Sequence, residues 1–321
     1  MKKLWFTLII LILLTVWINS SLAEQQTILM YMLGCDLEAD SGAATGDLME
    51  IIHATAESTI QVIAYMGGSE AWWMPGLEND HCYTVKIQQG KMEILQDHGR
   101  QVSASKKQFL QFLTSYAHNG DDLILWGHGF PGFEGIGVDK IANEDKLSLA
   151  EMKEAFTESG LHFRLIGFDA CEMATLEAAW TFAPYADYFA ASPEIEAVSG
   201  WNYSATIQAL ENTDADAPLQ LREMALQAAK RNPSVLPLTV IDEKELTQSA
   251  PSINRLLNSS IQSAETVSLT QLAAACSDKE AGMTVLNTLD GQALMISNPG
   301  ADTSVELPDI QESYVSFLFR R

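Results

Sequence analysis

The stretch Leu165-Ile-Gly-Phe-Asp-Ala-Cys-Glu-Met-Ala174 decides the fold of this chain. It begins with a short apolar run that is typical of a buried strand and too short for a helix. From Glu172 to Phe182, apolar residues recur at helical spacing, which predicts a helix directly after the strand. Cys171 is therefore expected where the strand becomes the helix. Unpaired amides at a helix start carry partial positive charge, so this position favours a thiolate or an oxyanion.

A second stretch, Asp121-Asp-Leu-Ile-Leu-Trp-Gly-His-Gly129, has the same form. Its apolar strand, Leu123 to Trp126, ends at glycines on both sides of His128. In an open α/β sheet, reacting groups gather at the carboxyl ends of the strands. If the two strands are adjacent and parallel, His128 and Cys171 meet at one rim although they are 43 residues apart.

Strands and helices alternate along most of the chain, which predicts an α/β fold with a mainly parallel central sheet and helices on both faces. Residues 129–146 are glycine-rich and charged, and we expect them to form a loop. Other predicted strands are 27–33, 59–66, 187–192, 236–241, 294–297 and 314–319, with a hairpin over 82–95; predicted helices are 44–56, 105–117, 148–158, 201–210, 219–230 and 243–261.

The N-terminus is predicted to be a secretory signal peptide. Lys2 and Lys3 precede a short apolar run, and Ser21-Leu-Ala23 is a small-residue cleavage site. An uncleaved membrane anchor is the alternative, but the run is short for a membrane span. We therefore expect residues 1–23 to be removed and the protein to be secreted, periplasmic or attached to the cell surface. Residues 24–282 would form the main domain, and 283–321 a C-terminal extension or subdomain that continues in a longer natural chain.

The chain is strongly acidic. Its formal net charge is −23, and loss of residues 1–23 removes two lysines and no acidic residue, which makes it about −25. This charge argues against a nucleic-acid partner and favours a cationic substrate. The four cysteines, Cys35, Cys82, Cys171 and Cys276, have no C-x-x-C spacing, which argues against a structural zinc site. With Cys171 free, the other three allow one disulfide or none.

A thiol and an imidazole at neighbouring strand ends form a nucleophile with its acid/base partner. In this hypothesis Cys171 attacks a carbonyl, while His128 protonates the leaving amine and later activates water. The backbone amides of Cys171 and Gly129 would bind the oxyanion, because a residue without Cβ lets the substrate come close.

At these residues the sequence resembles the caspase-like cysteine peptidases, and within them it is similar to the clostripain family. The resemblance covers roughly residues 27 to 240. The chain departs from the family pattern in two loops: Phe130 to Glu134 follows Gly129 where more glycines are expected, and Cys35 stands beside Asp36 in a loop usually richer in Asp and Asn. The segments that carry the resemblance are Leu123–Gly129, Leu147–Met152, Gly167–Ala174, Ala191–Glu194 and Gly200–Tyr203, together with Asp36–Glu38 and Asp47–Glu50.

The resemblance implies a caspase-like α/β/α sandwich and endopeptidase activity after Arg or Lys, with peptide or protein substrates. Asp169 would line the specificity pocket and pair with a substrate cation, bidentately in the case of Arg. Its alternative role is to cap a helix or orient a loop amide. Glu194 and Trp201 are further specificity candidates.

The family also suggests self-cleavage between the two rim residues, for which Lys140 and Lys146 are candidate sites; two solvated lysines are the alternative. The chemistry needs no cofactor. Calcium as a stabiliser or activator is a further expectation from the family, with Asp139, Glu144 and Asp145 as candidate ligands.

Two other functions compete with this interpretation. A non-catalytic exported binding protein would hold a cationic ligand through Asp169 and Glu194 and use Cys171 only for packing. A caspase-like peptidase of another specificity, for Asn or Asp, is the second, although Asp169 would repel Asp. Rapid alkylation of Cys171 at neutral pH would separate an enzyme from the binding protein.

Overall fold

The computed structural model describes residues 26–212, 214–232, 238–258, 266–289 and 294–297. The predicted signal peptide and the predicted strand at 314–319 lie outside the described residues, as does most of the predicted C-terminal extension. No helix in the described ranges is long and apolar enough to span a membrane.

An eight-stranded sheet forms the centre of the molecule, in the order β11-β10-β9-β5-β1-β2-β3-β4. The five strands from β10 to β2 run parallel to their neighbours, and antiparallel pairs complete both ends. The expectation of a mainly parallel central sheet is therefore confirmed. Its strands are β1 (Thr27–Leu33), β2 (Gln61–Gly67), β3 (Cys82–Gln88), β4 (Lys91–Gly99), β5 (Asp122–Trp126), β9 (Phe163–Asp169), β10 (Ala186–Ala191) and β11 (Thr239–Asp242).

Helices cover both faces of this sheet and bury two apolar cores. One core includes Phe112, Phe156 and Phe182; the other includes Leu48 and Met224. The sandwich follows from the sequence because the central strands are apolar at consecutive positions, which is typical of strands that are covered on both faces. The helices are α1 (Cys35–Ser41), α2 (Ala43–Ala54), α3 (Lys106–Tyr116), α4 (Leu149–Ser159), α5 (Leu176–Phe182), α6 (Tyr203–Glu211), α7 (Ala217–Arg231), α8 (Glu243–Asn258), α9 (Leu269–Ala275) and α10 (Lys279–Thr288).

The glycine-rich segment 129–146 is not the loop that the sequence predicts. It forms a separate antiparallel sheet of β6 (Gly129–Phe130), β7 (Gly135–Asp139) and β8 (Asp145–Leu147). Ile136 and Leu147 pair across it and are both buried. The segment has few apolar residues, so its sequence gives little of the apolar pattern from which a strand is predicted.

The C-terminal part of the described chain belongs to the main core. The predicted domain boundary at residue 282 falls inside α10, and Val285 and Leu294 are buried in the same core as α5 and α8. A short sheet is formed by β12 (Thr266–Ser268), which precedes α9 in the chain, and β13 (Met295–Ser297), which comes after α10. The described residues of this region therefore pack against the main core.

The chain around Cys171 differs from the prediction of a helix start. Strand β9 ends at Asp169, but α5 begins only at Leu176, with Thr175 as its N-cap. The amides of Glu172 and Ala174 instead donate to the carbonyls of Glu194 and Ser192. Cys171 therefore lies in an irregular turn, and the argument from helix-terminal amides is wrong.

Candidate active site

The carboxyl ends of β5 and β9 form the rim where the two candidate residues meet. The strands pair in parallel with Trp126 opposite Asp169, so the residues that follow each strand leave the sheet side by side. His128 and Cys171 line one cavity of about 260 Å³. The fold thus brings together two residues that are 43 positions apart in the sequence.

Gly129 touches the backbone of Cys171. A Cβ added to Gly129 would lie 2.0 Å from the Cys171 carbonyl oxygen and 2.8 Å from its amide nitrogen. Only a glycine fits here without displacing the Cys171 turn. The two amides proposed to hold the oxyanion therefore belong to chain segments in direct contact.

The thiol of Cys171 is free and half-buried. Its Sγ accepts a hydrogen bond from the amide of Glu196 at 3.3 Å. Such a donor stabilises a thiolate more than a thiol. The loop that carries Glu196 therefore touches the candidate nucleophile.

The ring of His128 is held by Asp36, from the first turn of α1. His128 Nε2 lies 3.1 Å from Asp36 Oδ1. Burial alone would raise the pKa of Asp36, but its own backbone amide and the contact with His128 outweigh burial and hold that pKa below its usual value. With Nε2 directed at Asp36, Nδ1 is the ring nitrogen left to act on a group in the cavity. Sequence analysis placed Asp36 in the family pattern but assigned it no role.

Asp169 is buried in the wall of the cavity, with 4% of its surface exposed. Its Oδ2 accepts hydrogen bonds from the Trp201 amide at 3.1 Å and from the Tyr203 hydroxyl at 2.7 Å. Burial raises the pKa of this carboxyl against the effect of those two donors. Asp169 thus lines the cavity and also accepts from a loop amide, so its geometry is compatible with both roles that the sequence left open.

Glu196 is a site residue that sequence reasoning missed. It lines the cavity, its carboxyl contacts that of Asp169, and its Oε1 accepts from the Trp201 indole at 3.3 Å. Its buried Oε2 finds no donor among the described residues. Burial raises its pKa well above the usual value, and the charge of nearby Asp169 adds to this rise. An unpartnered buried carboxylate oxygen costs free energy unless a proton or a cation joins it. The cavity therefore offers a place for a positive group.

A third carboxylate, Asp47, extends this acidic cluster behind the cavity. Burial, followed by the charge of Asp169, raises its pKa to about 9. The Trp126 indole donates to Asp47 Oδ2 at 2.8 Å. Sequence analysis placed Asp47 in the family pattern but assigned it no role, because it lies in α2, far from Asp169 along the chain.

Two predicted specificity residues do not line the cavity. Glu194 is exposed and precedes the cavity-lining part of its loop. Trp201 is 1% exposed, and its indole packs against Gly167 beneath the site. Both assignments are corrected: Glu196 supplies the second acid, while Trp201 holds the two acids in place. The sequence could not choose between two glutamates in one loop, because the choice depends on side-chain direction.

The candidate cleavage and calcium residues lie in and around the turn between β7 and β8. Lys140 Nζ pairs with Glu144 at 2.9 Å, and Lys146 Nζ contacts Glu134 and lies 3.7 Å from the Phe130 ring centroid. The carboxylate of Asp139 is fully buried and accepts from three backbone amides, those of Ser103, Ala104 and Ile141. Asp139, Glu144 and Asp145 do not form a ligand cluster in the described part of the chain.

Comparison with known proteins shows the family and the fold of this chain. The profile of the clostripain family matches residues 30–300. Two solved structures of a similar fold are secreted C11 cysteine proteases from Bacteroides thetaiotaomicron. The first, in complex with an irreversible peptide inhibitor, has a TM-score of 0.67 and 17% identity over 91% of this chain and 96% of that chain. The second, called iotapain, has a TM-score of 0.66 and 14% identity over 84% and 85%.

A third similar structure is an inactive zymogen of a C11 protease from Parabacteroides distasonis. It has a TM-score of 0.64 and 17% identity, and the match covers 88% of this chain and 87% of that chain. No curated protein sequence matches this chain.

Proposed function

This chain belongs to the clostripain family of cysteine peptidases, and from that premise we propose that it is an exported endopeptidase that cleaves peptide bonds after Arg or Lys. The observation that carries the specificity is the pair of buried Asp169 and half-buried Glu196 in the cavity that also holds Cys171 and His128. A guanidinium or ammonium group of the substrate would occupy the unpartnered side of Glu196 and neutralise the pair. A neutral or acidic side chain would leave the carboxylates without a counter-charge.

In the proposed mechanism, Cys171 passes its thiol proton to His128, and its Sγ attacks the carbonyl carbon of the basic residue. The amides of Gly129 and Cys171 stabilise the oxyanion, and loss of one such donor typically costs about 3 kcal/mol of transition-state stabilisation. His128 gives its proton to the leaving amine, which departs and leaves a thioester on Cys171. His128 then takes a proton from water, which hydrolyses the thioester and frees the enzyme.

Three further parts of the proposal come from sequence and family rather than from the site. Residues 1–23 act as the signal peptide, so the mature chain begins at Glu24. Cleavage after Lys140, in the turn between β7 and β8, or after Lys146, in β8, would mature the enzyme; both lysines are half-exposed. Calcium would act as a stabiliser or activator, away from the chemistry.

The test uses residues 24–321 and peptide reporters that end in Arg, Lys, Asn, Asp or Leu, with and without calcium. Arg or Lys turnover that disappears in Cys171→Ala supports the proposal. Glu196→Gln should then reduce kcat/KM for the basic reporters and leave the protein folded. Turnover of Asn, Asp or Leu reporters instead would overturn the basic specificity. If no reporter is cleaved and Cys171 does not react with iodoacetamide, the Cys171–His128 dyad is ruled out and the binding protein remains as the function.

A further inference from the structure

Three metal-ligating side chains converge beside the proposed active site, where β1 passes into α1. Cys35 Sγ, a carboxylate oxygen of Asp36 and a ring nitrogen of His128 all lie within 4.8 Å of one another. No other group of three His, Cys, Asp or Glu side chains in the described ranges comes this close. The proposed mechanism uses His128 but has no use for Cys35.

Cys35 has an unusual setting for a side chain that only packs. It is fully buried, and its backbone has a φ of +41°, in the left-handed region that residues other than glycine rarely adopt. Its Sγ lies 3.4 Å from the Leu33 carbonyl. The sulfur therefore approaches the Asp36–His128 pair from the protein interior.

We propose that Cys35, Asp36 and His128 form a binding site for Zn²⁺ and that the ion switches the peptidase off. A thiolate, a carboxylate and an imidazole are the ligand types that zinc prefers. Ligand atoms around one tetrahedral zinc ion lie about 3.4–3.6 Å apart. The 3.1 Å between His128 Nε2 and Asp36 Oδ1 is already near this spacing, and the sulfur lies within 4.8 Å of a ligand atom of each. Calcium and magnesium favour sites built from oxygen, so the thiol disfavours them.

Solvent has access to the site from its outer side. The side chains of His128 and Asp36 are 32% and 46% exposed, which leaves room for an ion to enter and for a water molecule as fourth ligand. The nearby charge of Lys140 acts on both Asp36 and Cys35 and opposes a cation, although Lys140 is itself paired with Glu144. Removal of that charge in Lys140→Met should therefore tighten zinc binding.

The inhibitory effect rests on the proposed function, but binding does not. When Zn²⁺ binds, the Cys35 thiol loses its proton to solvent and the sulfur bonds to the ion. With zinc bonded to Nε2, the neutral His128 ring carries its N–H at Nδ1 and can no longer alternate between imidazole and imidazolium, which is the proton transfer that peptide cleavage needs. Zinc would thus act without occupying the substrate cavity.

The experiment separates this site from zinc held directly between Cys171 and His128. Zinc is titrated into Cys171→Ala protein (residues 24–321) against a chromophoric chelator, and Co²⁺ is used to detect a thiolate-to-metal absorption band. We expect one zinc per chain and a cobalt–thiolate band although Cys171 is absent. Adding Cys35→Ser to this protein should remove the cobalt–thiolate band. It should also weaken zinc binding by more than the roughly 10–100-fold that is typical when a residue hydrogen-bonded to a metal ligand is lost. Cys82→Ser in the same background is the matched control, because Cys82 is also buried but lies outside the cluster, and it should change neither result.

Loss of zinc binding in Cys171→Ala, or its survival in the Cys35→Ser protein, would overturn the proposal. These readouts need no enzymatic activity. If the protein cleaves no peptide but still binds zinc through Cys35, the proposed function fails while this site stands. If an active enzyme is inhibited equally with and without Cys35, the site fails and the proposed function stands.

Discussion

At the scale of single residues, the main feature of the cavity is a group of carboxyl side chains that are largely shielded from solvent. Asp47, Asp169 and Glu196 all have raised pKa values, with burial as the first cause. A raised pKa means that these carboxyl groups keep their protons at a pH where exposed carboxyl groups lose them, and a bound cation would displace those protons. The binding of a basic side chain is therefore linked to proton release.

This linkage predicts a pH dependence for substrate charge. As pH falls through the raised pKa values, the acids become protonated and lose attraction for Arg, so kcat/KM for an Arg reporter should fall. As pH rises, the ratio of Arg turnover to turnover of the neutral analogue citrulline should rise, because only the cation gains from ionisation. The measurement is kcat/KM for both reporters across the pH range where the fold is intact. A ratio independent of pH would place the cation outside this cluster.

The contact between Asp36 and His128 predicts a positioning role. In Asp36→Ala the imidazole loses its partner, and we expect kcat to fall by about 10–100-fold, part of the 10²–10⁴-fold that acid–base catalysis provides. KM should change little, because Asp36 does not line the substrate cavity. Asp36→Asn keeps an oxygen at hydrogen-bond distance and should restore most of kcat. Equal losses in both variants would show that charge, rather than orientation, is what Asp36 supplies.

At the scale of elements, the site depends on how closely two chain segments approach each other. Strands β5 and β9 bring the segments to one rim, and the missing side chain of Gly129 lets them touch. Packing of this kind leaves no room for even one methyl group.

Gly129→Ala should therefore destabilise the fold by about 1–3 kcal/mol and disrupt activity, because the added methyl would displace the Cys171 turn. Gly46→Ala is the matched control. Gly46 lies exposed in α2 with nothing within 4 Å of its added Cβ, so alanine should stabilise the helix by about 0.5–1 kcal/mol. Urea unfolding of both variants measures these changes. Similar changes in both would mean that the Gly129 contact is relieved by backbone movement.

At the scale of the whole molecule, sequence periodicity was enough to predict the sandwich but not its irregular parts. The apolar runs of β5 and β9 and the Ser148–Glu151 capping box of α4 are local signals, and the structure confirms them. The turn at Cys171 and the strands within 129–146 depend instead on hydrogen bonds to distant segments. The same limit applies to the site: Cys171, His128 and Asp169 could be located from strand ends, whereas Glu196, Asp36 and Asp47 depend on side-chain direction and tertiary contact.

The four cysteines allow a prediction for the whole chain. All four lie in the described residues and none of them is in a disulfide, so the one disulfide that the sequence left open is not formed; three of them are fully buried. We expect reductant to leave the melting temperature unchanged and denaturant to expose four thiols. In the native state Cys171 should react first, since burial raises the pKa of Cys35 to about 12 and shields Cys82 and Cys276. Fewer than four thiols under denaturing conditions would contradict this arrangement.

The hydrogen bonds from Trp126 to Asp47 and from Trp201 to Glu196 have an optical consequence. Light moves electron density within an indole from the five-membered to the six-membered ring, so a charge at the N–H shifts the emission energy. Two of the chain's seven tryptophans thus sense the ionisation of the acidic cluster directly. The tryptophan emission of the unlabelled protein should therefore shift when a carboxyl of the cluster loses its proton or when a cation binds, before any peptide bond is cut.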